Sequence, residues 1–224
     1  MEGKASYAPG HCAMGYTLAK LTAHVTKTDI NIPLVFALSV IMDVDLLFYH
    51  SMFLFIEHRG PTHSILVATA LFIPIFIVYR KAALPYFVSL VSHPLLGDFI
   101  VGGRVQLLWP LTSAPYGAGI VELDVLSSLS IALEWLFFLI AAAAMFKTRD
   151  LHNFLQPHPS NVILVIPIFS ILFPTIFGLP QPIPATLLLL HLICLFLFGA
   201  ALLADIIEKC RLKLNRLKLH KKVY

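Results

Sequence analysis

Long stretches of this chain are apolar on every face that a helix would present, and most charged residues fall between or beyond them. A helix in a soluble core shows an apolar stripe; one surrounded by lipid is apolar all round. Crossing about 30 Å of hydrocarbon takes roughly 20 helical residues and no fewer than about 17. Runs of that length lie at 63 to 79, 84 to 101, 125 to 146, 160 to 178 and 185 to 207, the second interrupted by His93, Pro94, Gly97 and Asp98. A sixth candidate, 32 to 56, carries Asp43 and Asp45, and the short, weakly apolar stretch 11 to 26 reads as an interfacial or half-inserted helix packed on the bundle. Pro74, Pro167 and Pro174 mark kinks, since neighbouring groups satisfy the freed carbonyls in a membrane helix. The prolines from Gly178 to Pro184 mark a tight external turn. The expected fold class is therefore all-α: a polytopic membrane helical bundle of five to six transmembrane helices plus the short N-terminal helix.

Composition agrees: 58% of the 224 residues are hydrophobic and 12% charged, against roughly 25% charged in soluble domains. The net charge of +4 does not point to nucleic acid, because seven of the sixteen basic residues lie in the last sixteen positions, beyond the final apolar run. They form a basic tail, 209 to 224, suited to anionic lipid at the membrane surface. Lysine and arginine stay cytoplasmic in short loops. Placing the tail inside also places Lys147, Arg149, Arg80 and Lys81 inside, eleven of the sixteen basic residues in all. The expected location is the inner or cytoplasmic membrane, with 57 to 62, 102 to 124 and 179 to 184 outside. No cleavable signal peptide is evident, and Cys12, Cys194 and Cys210 suggest neither a disulfide framework nor a zinc knuckle.

Ionisable groups in membrane segments are costly, and each asks for a partner or a purpose. They gather in the first half: His11, Asp43, Asp45, Glu57, His58, His63, His93 and Asp98. Imidazole and carboxylate together suit zinc or another first-row divalent metal better than magnesium. Asp43 and Asp45 would point about 200° apart on a regular helix, and His93 and Asp98 about 140° apart, so only a local break brings them to one site. The segment holding the two aspartates must be re-entrant, tilted or broken, and Pro94, Gly97, Gly60 and Pro61 supply breaks elsewhere. The alternative is ion-paired structure, with an aspartate on Arg59 or Arg104 and Thr62 or Ser64 capping the next helix. Glu134 and His191 are expected to hydrogen-bond between helices, Asp205 to meet the basic tail, and Trp109 and Trp135 to anchor and pack.

Four blocks, GHCAMGY from Gly10, MDVD from Met42, HRGPTHS from His58, and SHPLLGD from Ser92 followed by LLWPL from Leu107, resemble the LexA-regulated, inner-membrane metal-dependent hydrolase family. They cover 10 to 112, leaving 125 to 207 as supporting helices within a membrane domain of 1 to 208. The resemblance implies that His11, Asp43, Asp45, His58, His63, His93 and Asp98 form a hydrolytic metal centre. Met42 and Leu46 depart from the family pattern, where proline and a further histidine are common; either His50, one turn on, substitutes or coordination is reduced.

The expected activity is hydrolysis of an ester or phosphoester in a lipid-derived or amphiphilic substrate, by water activated on one or two divalent ions, zinc first, near the outer face. Membrane lipid is the expected partner. Asp43 and Asp45 would be ligands or bridge two ions, His93 a ligand or an orienter, Glu57 the general base and Arg59 the grip on phosphate. Two other classes fit the same residues: a metal or proton transporter, or a non-catalytic membrane scaffold with a structural metal.

Overall fold

The computed structural model describes residues 7–47, 58–102, 104–118, 128–178 and 182–223. His50, Glu57 and the middle of the 178 to 184 turn lie outside them. The described chain is a helical bundle of α1 (Ala8–Thr26), α2 (Ile32–Val40), α3 (Ile65–Tyr79), α4 (Leu84–Ser92), α5 (Ser128–Lys147), α6 (Asp150–Phe154), α7 (Val165–Phe177) and α8 (Ala185–Val223). Local chemistry sets several ends. Asn31 caps α2 by accepting from Leu34 N, Ser64 caps α3 by accepting from Leu66 N and Val67 N, and Gly178 closes α7 at φ 65°, a left-handed conformation open to glycine.

Among the described residues, four helical runs are long and apolar enough to cross a membrane: Ile65–Val101, Ser128–Lys147, Pro159–Phe177 and Ala185–Arg216. The first is not straight. A straight helix would hold residues 63 and 93 roughly 45 Å apart, yet His63 Nε2 and His93 Nε2 are 3.2 Å apart. The run folds back at Arg80, where φ is 50° and ψ −121°, so it supplies both segments expected at 63 to 79 and 84 to 101. Large apolar side chains on α3, α5, α7 and α8, among them Leu71, Ile77, Phe146 and Phe196, are exposed on the outside of the bundle, where lipid is their natural solvent.

The candidate span 32 to 56 is broken. Its α-helix stops at Val40 and a 3₁₀ turn, Ile41–Leu47, carries both aspartates. The segment 11 to 26 lies within α1 and packs on the bundle through its first half: Tyr7 to Tyr16 are enclosed by protein while Leu21 and Val25 are exposed. Packing there is close because the side chains are small. A Cβ on Gly15 would lie 2.5 Å from Ser39 Cβ and 2.8 Å from Ser89 Oγ, so α1, α2 and α4 cross with their backbones nearly in contact. Below this crossing Tyr16, Phe36, Phe154 and Phe198 form an aromatic core.

The polar residues of the supporting half are structural. Glu134 Oε1 of α5 accepts the Tyr7 N–H at 2.8 Å and holds the start of α1, as expected of a helix-to-helix bond. His191 departs from that expectation: its Nδ1 lies 2.9 Å from Leu187 O in its own helix, and its ring meets Tyr7 edge-on. One helical turn is a closer source of an acceptor than the next helix. Asp205 binds Lys209 at 2.6 Å, and α8 continues unbroken into the basic residues, so the tail is a helical extension of the last span.

Candidate metal centre

The crossing at Gly15 fixes where the polar blocks meet. His11 comes from α1, Asp43 and Asp45 from the 3₁₀ turn after α2, His58 and His63 from the loop before α3, and His93 and Asp98 from the segment after α4. That last segment, His93–Gly102, is π-helical. Its hydrogen bonds close from i to i+5, so residues five apart return to the same face. Pro94 has no N–H to return to Leu90, which loosens the α-helical ladder where the change begins. Gly97 then leaves the space taken by the His11 ring, which a Cβ would overlap; His11 stacks on His93 with centroids 3.7 Å apart.

The loop from His58 to Ser64 is held from outside by the 104–118 segment. Gln106 N donates to Arg59 O at 3.0 Å, Ile65 N to Leu107 O at 3.0 Å, and Ser64 Oγ to Trp109 O at 2.5 Å. Arg59 sits at φ 65°, a conformation that strains a residue with a side chain by on the order of 1–3 kcal/mol. Its Nε lies 3.1 Å from Asp98 Oδ1, which is the aspartate pairing anticipated for it; Arg104 is exposed.

Four donor atoms form the centre of the cluster. His63 Nε2 and His93 Nε2 are 3.2 Å apart; Asp43 Oδ1 lies 3.6 and 3.3 Å from them, and Asp98 Oδ2 lies 3.7 Å from each. The opposite nitrogens are already engaged. His93 Nδ1 is 2.8 Å from Ser39 O, and a carbonyl only accepts, so the proton is on Nδ1. His63 Nδ1 is 3.3 Å from Asp45 Oδ2, which assigns its proton in the same way. With neutral rings, both Nε2 lone pairs therefore face each other and two carboxylate oxygens, one of which, Asp98 Oδ2, has no hydrogen-bond partner.

Such an arrangement repels itself unless a cation or a proton sits within it. Around a tetrahedral zinc with bonds of roughly 2.0–2.2 Å, donor atoms are about 3.3–3.6 Å apart. The separations of 3.2 to 3.7 Å observed here match that scale. Two further histidines widen the donor set: His11, His93 and Asp98 form one compact group, and Asp43, His58 and His63 another.

Asp45 stands apart from both groups. Its Oδ1 meets His58 Nδ1 at 3.1 Å, and its Oδ2 accepts from Thr62 Oγ1 at 2.8 Å as well as facing His63. The divergence of Asp43 and Asp45 along the chain is thus used, not removed: they flank His63, Asp45 at Nδ1 and Asp43 at Nε2. Thr62 and the Ser39 carbonyl were not anticipated in these places. Thr62 had a signal, its position between Pro61 and His63; a backbone acceptor such as Ser39 O has none.

No curated protein and no solved structure matches the chain. A family model described as the YdjM inner membrane protein matches residues 7–205, which reaches well past the motif blocks of the first half into the supporting helices. The match encloses the whole donor cluster and all four long apolar runs to within the last turns of the final one, and the chain belongs to the YdjM inner membrane protein family.

Proposed function

We propose that the protein is a membrane-bound, metal-dependent hydrolase acting on an ester or phosphoester of a lipid-derived or amphiphilic substrate. The observation that carries this reading is the pair of facing Nε2 atoms, each fixed by an acceptor behind it, with Asp43 and Asp98 completing the ring. His63, His93, Asp43 and Asp98 would hold the ion, with His11 and His58 available for a different or second one. Nitrogen and oxygen donors in this mixture favour zinc over magnesium. Such an ion supplies acidified water and positive charge for a developing oxyanion.

The protein's own groups then have distinct tasks. Asp45 and Ser39 O fix the tautomers and orientation of His63 and His93. Asp98 also holds the Nε edge of Arg59, and Arg59 is the cation we assign to a substrate phosphate. His58 and Thr62 are only half-buried, so substrate approaches past them.

Metal analysis of the protein purified in detergent under non-chelating conditions, with hydrolysis of chromogenic phosphoesters and phospholipids, tests the proposal. At least one ion per chain and turnover are expected, both lost in Asp43→Ala. Less than about a tenth of an ion per wild-type chain would sink it.

We also place the basic end of α8 on the cytoplasmic side, against anionic lipid, and the cluster toward the outer face. Ser113 is exposed in the 104–118 segment that braces the His58 loop. Ser113→Cys is therefore expected to react with an impermeant thiol reagent added to intact cells, in a Cys12, Cys194 and Cys210 to Ser background. Labelling that requires lysis would reverse the orientation.

A further inference from the structure

An apolar cleft of about 240 Å³ opens beside the donor cluster. One wall is a helical stripe on α3, comprising Val67, Ala68, Leu71, Phe72 and Ile75; the other is the α2 end and the 3₁₀ turn, including Met42 and Val44. Among the described residues, Thr62 is the only lining residue with a polar side chain. Its hydroxyl is already engaged on both counts, donating to Asp45 Oδ2 at 2.8 Å and lying 3.0 Å from His63 Nδ1.

The cleft therefore has an orientation. At one end Met42, Val44 and Thr62 are the chain neighbours of Asp43, Asp45 and His63; from there the stripe runs down α3 for roughly 12 Å between Val67 and Ile75. Leu71 is 72% exposed at its edge, and Ile73, Ile77 and Val78 on the adjoining surface of the same helix are exposed as well. In an inner-membrane protein that surface meets hydrocarbon, so the cleft opens sideways into the bilayer.

We infer that this cleft holds one acyl chain of a membrane amphiphile, running along α3 so that the ester or phosphoester joining chain to head lies at the His63 and Asp43 end. The inference deepens the proposed hydrolase reading and rests on it for the chemistry at the head. A lone acyl chain is the occupant that suits an eleven-residue lining with no free polar group, a lateral opening to hydrocarbon and a charged cluster at one end only. A chain already in the bilayer gains no transfer free energy by entering. The cleft's contribution is register: it selects which bond of the amphiphile comes to rest among the donors.

The test uses full-length protein in vesicles of phosphatidylethanolamine and phosphatidylglycerol, with phosphatidylglycerol bearing a photoreactive diazirine at the end of one acyl chain. Peptide mapping after illumination is expected to place label on Leu71, Phe72 and Ile75 at least fivefold above Ile73 and Ile77. Ala68→Phe, which fills the cleft, should remove that preference while metal content holds. Because Ala68 is buried, Val67→Trp at a half-buried lining position provides a second obstruction expected to act in the same way. Even labelling around α3, a preference unchanged in both variants, or cross-linking to a second copy of the chain in place of lipid would overturn the inference. Focused labelling in a protein that hydrolyses nothing would leave the cleft in place and remove the hydrolase reading. Metal-dependent turnover with diffuse labelling would do the reverse.

Discussion

Stripping divalent metal from the purified protein is expected to lower its unfolding free energy by about 4 kcal/mol, corresponding to an ion bound at roughly a thousand times its dissociation constant. The sign follows from charge. With neutral imidazoles, Asp43, Asp45 and Asp98 bring three negative charges into a buried cluster, and Arg59 returns one positive charge through Asp98. The remainder of about two negative charges is what one divalent cation cancels. An ion that binds only the folded chain stabilises it; its removal leaves like charges and facing lone pairs in a medium that screens them poorly. For a chain of this length the loss should appear as a fall of roughly 8–16 °C in the thermal midpoint. The measurement is thermal unfolding in detergent before chelation, after chelation with metal loss verified by elemental analysis, and after re-addition of zinc or magnesium. Zinc should restore the midpoint and magnesium should not. A midpoint unmoved in verified metal-free protein would mean that the cluster is held by protons and Arg59 alone.

Much of this site was legible in the sequence because unusual residues mark it. Aspartate and histidine in apolar runs are conspicuous, and the requirement for local breaks followed from angles alone: the 3₁₀ turn at Ile41–Leu47 and the π-helical segment at His93–Gly102 are those breaks. The sequence could not distinguish Asp43 from Asp45. Both sit in one motif, and only the position of His63 between them separates an oxygen facing Nε2 from one facing Nδ1. Nor could it reveal that Ser39 acts through its carbonyl, since every residue has one. The enclosure of α1 was obscured for a related reason. Its hydropathy is modest because Lys20, two histidines and three threonines share it with the glycines and alanines that allow the close crossing at Gly15. Small and polar side chains lower the apparent membrane signal of a helix whose first half is enclosed by protein. The second half gave the opposite problem: α5, α7 and α8 are plain as apolar helices, yet the use of Glu134 to hold the start of α1 depends on a contact 127 positions away in the chain.

The division of labour between the aspartates leads to the sharpest contrast among variants. His63→Ala is expected to abolish metal retention and to destabilise the protein by roughly 3–5 kcal/mol, the range for removing one partner from a buried charged cluster. His63 is completely buried and lies within 3.7 Å of Asp43, Asp45, Asp98 and His93. Asp45→Asn should behave differently. The amide can still accept from Thr62 and, through its oxygen, from one histidine, but it cannot accept on both sides at full charge. His63 would keep its place with a less basic Nε2, and metal affinity should fall by about 10–100-fold without loss of the fold. Competition with a chromogenic chelator measures the affinities, and thermal unfolding without metal measures the stabilities. If Asp45→Asn loses metal as completely as His63→Ala, Asp45 is a ligand and the ring of four must be redrawn around it. If His63→Ala retains metal, the facing Nε2 atoms do not form the centre of the site. The graded outcome, complete loss for one and weakening for the other, is what an imidazole held by Asp45 at Nδ1 and facing the ion through Nε2 requires.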